Sequence, residues 1–570
     1  MKPLKTAILG VAALALAACS SQTATPVATS AEAPHLEKRG EVTQLIVNGK
    51  PWLALACETG NSSTSSRAYM APYWAQLKEA GLNTVIGTTS WEQVEPEQGV
   101  YDFHAVDEMI EDARANDLKL IVIWFASWKN GMSSYHPKWV KSDTRTYPLA
   151  KTKDGKQLPI LSTLGEKTCE ADAKAYGALM QHIKDVDSAE QTVIMIQMQN
   201  EMGLHGWTRD YCELANAAFE GQVPAELMSY LQANRENLLP ETLDAWKKSG
   251  YRTSGTWEEV FGKNERTDEI FMAWNYASYV NKVSAAGKAV YPIPVFVNAW
   301  IVQPEDKHPG NYPSGGPQAQ NHDIYRAAAP NIDILSPDIY LSDFPGILTM
   351  YSRNGNPVFI PESRAGQGGA ANAAYAIGER GAIGYSPFGL ETSALNPSNK
   401  TFCSFYHKVG DASDIILKAQ AEGRIHAAWL KGADPEVHKQ QFELGDYIVV
   451  CELVSSGRRN GGAPQLTGGT YAPEAQGYAL AVLEDDDILV LGSNVRVTFL
   501  PKDGNGTIGL AKVTEGEFVD GNWVEGRWLN GDQIQLRYDV LSAIEEGFSG
   551  QGLNFGSPEP GFIKVELYRY

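Results

Sequence analysis

Cysteine is scarce in this 570-residue chain: there are six, scattered, with no Cys-x-x-Cys pair among them. That pattern indicates neither a zinc site nor a disulfide framework. Beyond Cys19 there remain Cys57, Cys169, Cys212, Cys403 and Cys451, an odd number that leaves at least one thiol free. Basic residues are also in deficit, with 48 Lys and Arg against 68 Asp and Glu and a formal charge of −20. This argues against a nucleic-acid partner, because phosphate-backbone binders concentrate cations on one face. Neutral or cationic ligands fit better. No internal repeat is visible, which counts against a solenoid or propeller. No Gly-x-Gly-x-x-Gly follows the first apolar run, so a dinucleotide fold gains no support. No pair of histidines stands in ligand spacing, His205 being alone, and neither a metal nor a cofactor is expected.

The apolar run from Ala7 to Ala18, preceded by Lys2 and Lys5, is too short to span a bilayer and reads as an export signal. It ends in Leu16-Ala17-Ala18-Cys19, which resembles the lipobox of bacterial lipoproteins. The resemblance implies a signal peptide over 1–19 and lipidation of Cys19. The Ser/Thr/Ala/Pro-rich stretch that follows predicts a flexible tether over 20–40. Ser20, where an inner-membrane retention signal would have aspartate, implies the outer membrane. The protein is thus expected to be exported, to face the periplasm or the cell surface, and to meet the membrane through a lipid anchor only.

Short apolar, β-branched runs then recur: Leu53 to Glu58, Thr84 to Trp91, Leu120 to Trp128, Val193 to Glu201, Pro294 to Trp300, Ile332 to Tyr340, Pro357 to Glu362 and Ala382 to Phe388. Amphipathic stretches such as 72–81 and 105–119 separate them. Eight buried strands alternating with helices predict an α/β chain with a (β/α)8 barrel over 41–424. Asn48-Gly49, between two apolar runs, predicts a type I′ hairpin closing the barrel floor. From 425 to 570 the texture changes to short alternating runs with Gly, Asn and Asp turns, which predicts an all-β, sandwich-like domain.

In such a barrel the C-terminal strand ends carry the chemistry. Glu201 ends the fourth run and Glu362 the seventh, and these strands face each other across the mouth. Retaining glycoside hydrolysis needs this arrangement: one carboxyl protonates the leaving oxygen, and another about 5 to 5.5 Å away attacks the anomeric carbon. The proton donor needs a raised pKa, which a second nearby carboxylate supplies. Arg364 and the Tyr340 hydroxyl are candidates to stabilise an ionised Glu362.

The segments QMQNE (197–201), PVFIPES (357–363) and SWEQVEPEQGVYDF (90–103) resemble motifs of clan A retaining glycosidases, specifically the glycoside hydrolase family 35 β-galactosidases. The first two are specific to the clan, and the third narrows the resemblance to galactosidase families 35 and 42. It implies Glu201 as acid/base, Glu362 as nucleophile, Asn200 as donor to the sugar 2-hydroxyl and Tyr340 as a hydrogen-bond donor to the nucleophile. The chain departs from the common pattern after the third run, where Ala126-Ser127-Trp128-Lys129-Asn130 replaces an Ala-Glu-Trp that supplies a sugar-binding carboxylate. This variant resembles a bacterial subgroup that trims galactose from xyloglucan side chains.

Aromatic residues at strand ends, Trp128 among them, suggest flat walls for sugar faces, with Trp91, Trp300 and Tyr385 as preferred contacts. Glu58 and Glu92 could accept from sugar hydroxyls, and Lys129 and Asn130 lie on the variant segment. The long insertion at 203–293 is expected to shape the site, Trp257 included. The expected activity is an exo-acting β-galactosidase on galactosylated oligosaccharides or polysaccharides. A glycan-binding lipoprotein without catalysis, and a retaining glycosidase of other sugar specificity, are the alternatives.

Overall fold

The computed structural model describes Met1 and residues 32–454, 471–536 and 548–570. Residues 2–31, with Cys19 and the leader, lie outside them. Eight parallel strands close into a barrel in chain order: β1 (Ala54–Glu58), β2 (Thr84–Ser90), β3 (Lys119–Lys129), β4 (Val193–Asn200), β5 (Val295–Trp300), β6 (Ile334–Asp338), β7 (Phe359–Ser363) and β8 (Gly384–Pro387).

The side-chain period of two sorts each strand into an inner and an outer set. Ala54, Ala56, Ile86, Ile121, Ile123, Phe125, Phe296, Ile334, Phe359 and Ile383 fill the barrel interior. Their neighbours Leu55, Cys57, Val85, Val122, Trp124, Val297, Leu335, Ile360 and Tyr385 pack outward under the helices. The helices are amphipathic to match; His104–Ala115 buries Val106, Met109, Ile110 and Ala113, one stripe at helical spacing.

Asn48 and Gly49 both adopt the left-handed conformation, φ 50° and 73°, as a type I′ turn requires, and Val47 pairs with Lys50 across it. Leu45 and Val47 of this hairpin join the interior cluster and close the barrel floor. Part of the stretch expected to be a tether is a strand: His35–Arg39 pairs antiparallel with Val42–Val47, and Leu36 packs on the floor cluster. An apolar side chain beside an available strand edge favours pairing over a free linker. All five cysteines after Cys19 are free and buried.

The C-terminal region forms a six-stranded and a four-stranded sheet, both antiparallel, with Val449, Cys451, Val490, Val497 and Val565 between them. The six-stranded sheet packs on the barrel helices, with Phe405 edge-on to Tyr478 at 5.5 Å and Trp429 Nε1 donating to Asn372 Oδ1 at 2.8 Å.

Candidate active site

Strand parity carries a set of polar side chains into the barrel mouth. On β1 the inner series Ala54, Ala56 ends at Glu58; on β5 Phe296 leads to Asn298 and Trp300; on β6 Ile334 leads to Ser336 and Asp338. Two strands reach the mouth only by breaking parity. On β7, Ile360 pairs with Tyr385 but Ser363 with Pro387, so three steps oppose two, and this bulge turns Glu362 inward. On β4, Gln199 and Glu201 are left-handed, φ 61° and 42°. Such backbone costs about 1–3 kcal/mol per residue and persists where the surroundings enforce it.

Here the enforcing contacts are specific. Gln199 Oε1 accepts from the Ala126 and Trp128 amides at 3.2 and 3.0 Å, and its Nε2 donates to Asp172 Oδ2 at 3.2 Å. It thereby fills the gap where β3 carries extra residues against β4 between Trp124 and Lys129. Buried Asp172 also accepts from Trp124 Nε1 at 2.8 Å and Ser127 Oγ at 2.7 Å, and burial raises its pKa to about 6. The Glu201 amide donates to Asn298 Oδ1 at 3.0 Å.

Glu201 and Glu362 are each 8% exposed. Tyr340 donates to Glu362 Oε2 at 2.9 Å. Asn298 Nδ2 lies 2.7 Å from Asp338 Oδ2 and 3.3 Å from Glu362 Oε1, tying β5 through β7 together. With its amide nitrogen toward the carboxylate, Asn200 donates to Glu362 Oε1 at 3.1 Å and accepts from Lys129 Nζ at 3.1 Å. Burial, then the Glu362 charge, raises Glu201 to about 7, against the opposing pull of an Asp338 hydrogen bond and of Lys129. Burial raises Glu362 too, but Lys129 and the Tyr340 hydrogen bond hold it back. Glu58 is fully buried, neither of its oxygens has a hydrogen-bond partner, and burial followed by the Glu362 charge pushes it well above the usual carboxylate range.

Several residues expected at the mouth are elsewhere, two of them by strand parity and the others because they lie on helices. Trp128 and Tyr385 fall on the outer series of β3 and β8, Trp91 opens the short helix Trp91–Val94, and all three are buried. Trp91 Nε1 donates to Glu95 Oε2 at 2.8 Å, Trp128 Nε1 to the Leu161 carbonyl at 3.0 Å, and the Tyr385 hydroxyl lies 2.8 Å from both Ser363 Oγ and the Arg364 carbonyl. Trp257 is 2% exposed against Phe271 in the insertion core, and Glu92 is half-exposed in an ion pair with Lys141 at 2.7 Å. Arg364 is exposed above the Tyr340 ring, leaving Lys129 as the cation that bears on Glu362. Trp300, on the inner series, remains half-buried at the mouth with His205 edge-on at 5.7 Å. The insertion starts beside it, where Leu204 bridges to Ser314. Asn130 Oδ1 accepts from Lys129 Nζ at 2.8 Å.

Asn298, Asp338 and Asp172 were not foreseen. Counting by two from Phe296 and Ile334 would have found the first pair; nothing in the sequence marks Asp172, which sits on a helix beneath β3.

Residues 42–264 match the model of the Glyco_hydro_42 family, described as β-galactosidase, and residues 403–540 match a domain family of unknown function, DUF5597. The family 35 assignment is therefore corrected: family 42 is a different family, and the motif at 90–103 is common to both. No curated protein matches the chain. Among solved structures the chain is similar to a β-galactosidase from Bacillus circulans sp. alkalophilus, with 16% identity, coverage of 64% of this chain and 57% of that one, and a TM-score of 0.44. It is also similar to a β-galactosidase from the psychrophilic Marinomonas ef1, with 14% identity, 65% and 61% coverage, and a TM-score of 0.44. A third is the catalytic domain of a β-amylase from Paenibacillus polymyxa, with 13% identity, 62% and 96% coverage, and a TM-score of 0.41. The chain thus spans about three-fifths of the two β-galactosidases. The family 42 match and the paired carboxyls support a glycoside hydrolase.

Proposed function

We propose that this glycoside hydrolase removes terminal β-linked galactose by double displacement, with Glu201 as acid/base and Glu362 as nucleophile. The observation that carries the reading is the asymmetry of the pair: Glu201 is held protonated up to about pH 7, while Glu362 receives hydrogen bonds from Tyr340 and Asn298 that favour its anion. Glu362 attacks the anomeric carbon as Glu201 delivers its proton to the glycosidic oxygen, and the aglycone leaves as an alcohol. Esterification removes the Glu362 charge, so Glu201 no longer has that reason to hold a proton. It then takes one from water, whose oxygen attacks the same carbon and releases Glu362.

Asn200 is assigned to the sugar 2-hydroxyl and Trp300 to an apolar sugar face. Glu58, with both oxygens unpartnered, is assigned to accept from sugar hydroxyls in place of the carboxylate that position 127 lacks. As the finer substrate we assign galactosylated xyloglucan side chains, supported by the variant segment at 127–140 together with the lipobox-like leader. Lipidation at Cys19, an outer-membrane location and the absence of a nucleic-acid partner belong to the same reading.

The test is a panel of nitrophenyl glycosides followed by galactosylated xyloglucan oligosaccharides, with the first-formed sugar read by NMR. Release of β-galactose first is expected. Initial α-galactose would refute double displacement, and binding without turnover would leave a glycan-binding protein.

A further inference from the structure

Asp172 lies outside the barrel wall on the helix Glu166–Asp187 and is fully buried. Its carboxyl gathers donors from three other elements. Trp124 Nε1 of β3 donates to Oδ1 at 2.8 Å, while Oδ2 accepts from Ser127 Oγ of β3 at 2.7 Å and from Gln199 Nε2 of β4 at 3.2 Å. The Tyr279 hydroxyl, on the insertion helix Glu265–Lys288, donates to the same Oδ2 at 3.2 Å. The Gln199 amide has one orientation open to it. Its Oε1 takes the backbone N–H groups of Ala126 and Trp128, so its Nε2 must face Asp172. Gln199 is left-handed at φ 61°, and two residues on Glu201 is left-handed again at φ 42°. Such backbone persists only where its surroundings hold it, and the side chain that holds the first of these positions ends on Asp172.

We infer that Asp172 is a positioning residue for the proposed hydrolysis: by fixing the Gln199 amide it sets the turn that aims Asn200 and the Glu201 carboxyl into the mouth. This inference rests on the assignment of Glu201 as acid/base. Trp124 Nε1 and Gln199 Nε2 can only donate, and they meet different oxygens of Asp172. A carboxylate accepts from both, whereas an amide of the same size sets its own NH2 against one of them. Tyr279 brings the insertion into the same network, so its last helix is braced against the strand end that carries the acid/base. Glu362 stands on β7 and owes its orientation to a different bulge. Loss of the Asp172 contact therefore displaces the proton donor and leaves the nucleophile in place. A misplacement of about 1 Å can cost about a hundredfold in rate.

Two galactosides of different leaving-group quality separate this role from a loss of folded protein. Unfolding lowers kcat/KM on both by one factor. Displacement of Glu201 spares a dinitrophenyl β-galactoside, whose leaving group needs little protonation, and slows an alkyl β-galactoside. Asp172→Asn should lose about a hundredfold on the alkyl substrate and under about tenfold on the dinitrophenyl one. Tyr279→Phe deletes one hydroxyl from the network and should shift the same ratio in the same direction by about threefold. It decides the matter should Asp172→Asn yield no folded protein. With Gln199 already replaced by alanine, Asp172→Asn should move the ratio no further, because Asp172 acts through that amide. Equal losses on the two substrates, or a further shift in the Gln199→Ala background, would overturn the inference. The Glu201→Ala variant serves as reference. If it too fails to discriminate between the two galactosides, the acid/base assignment falls and this inference with it; discrimination by Glu201→Ala and none by Asp172→Asn or Tyr279→Phe refutes the role of Asp172 alone.

Discussion

Replacing Glu201 by glutamine should make the folded protein more stable at pH 8 while removing most of its activity. The Glu201 carboxyl is 8% exposed, and burial beside Glu362 raises it from 4.5 to about 7. A group raised in the folded state stabilises fully below its unfolded value and loses that contribution as pH climbs through the folded value. For Glu201 the window runs from 4.5 to about 7. Converted at about 1.36 kcal/mol per pH unit, the rise is worth about 3 kcal/mol, of which coupling to its neighbours leaves about 2–3 kcal/mol to a single substitution. Glutamine cannot ionise, so the variant has no such window. Melting of Glu201→Gln and wild type at pH 5 and pH 8 should therefore give nearly equal midpoints in acid and a midpoint higher by about 3–4 °C for the variant at pH 8. Equal midpoints at both pH values, or a less stable variant at pH 8, would refute the claim that Glu201 is held protonated by its surroundings.

Azide should accelerate Glu201→Ala on an activated aryl galactoside and yield the β-galactosyl azide, whereas Glu362→Ala should yield the α-azide; exchanged anomers would exchange the two roles. Glu58→Gln should cut kcat/KM on galactosides by about tenfold to a hundredfold while raising the melting midpoint at pH 8, because both buried carboxylate oxygens are unpartnered; unchanged kinetics would remove Glu58 from the sugar site. Trp300→Ala should raise KM about tenfold with little change in melting, and Trp128→Ala should lose about 3–5 kcal/mol of stability, an exchange of these phenotypes being the contrary result. Cys19→Ser should move the protein from the detergent to the aqueous phase of a detergent extraction without loss of catalysis, and wild-type protein already in the aqueous phase would refute lipidation.

The local pattern of the chain was enough to determine the barrel. Strand and helix periods of two and 3.6 are written in neighbouring residues, so the alternation from β1 to β8, the Asn48-Gly49 turn and the all-β texture after residue 425 could be read directly. Glu201 and Glu362 were legible as strand-end carboxyls because a polar residue closing an apolar run is a local signal. The orientation of side chains at those ends was not. Trp128 and Tyr385 lie as close to strand ends in sequence as Trp300 does, yet one step of parity sends them beneath the helices. The match to the family 42 model was likewise beyond a motif that two families hold in common. Only the tertiary structure decided that Glu362 turns inward, through a bulge against β8, and that Asn200 and Glu201 do so through left-handed backbone held by Gln199, Asp172 and Asn298. It also brought Asp338 from β6 and Glu362 from β7 onto one side chain of β5, Asn298. Contacts across the mouth depend on barrel closure, register and bulges, which arise from pairing between distant segments and leave no periodic trace in any one of them.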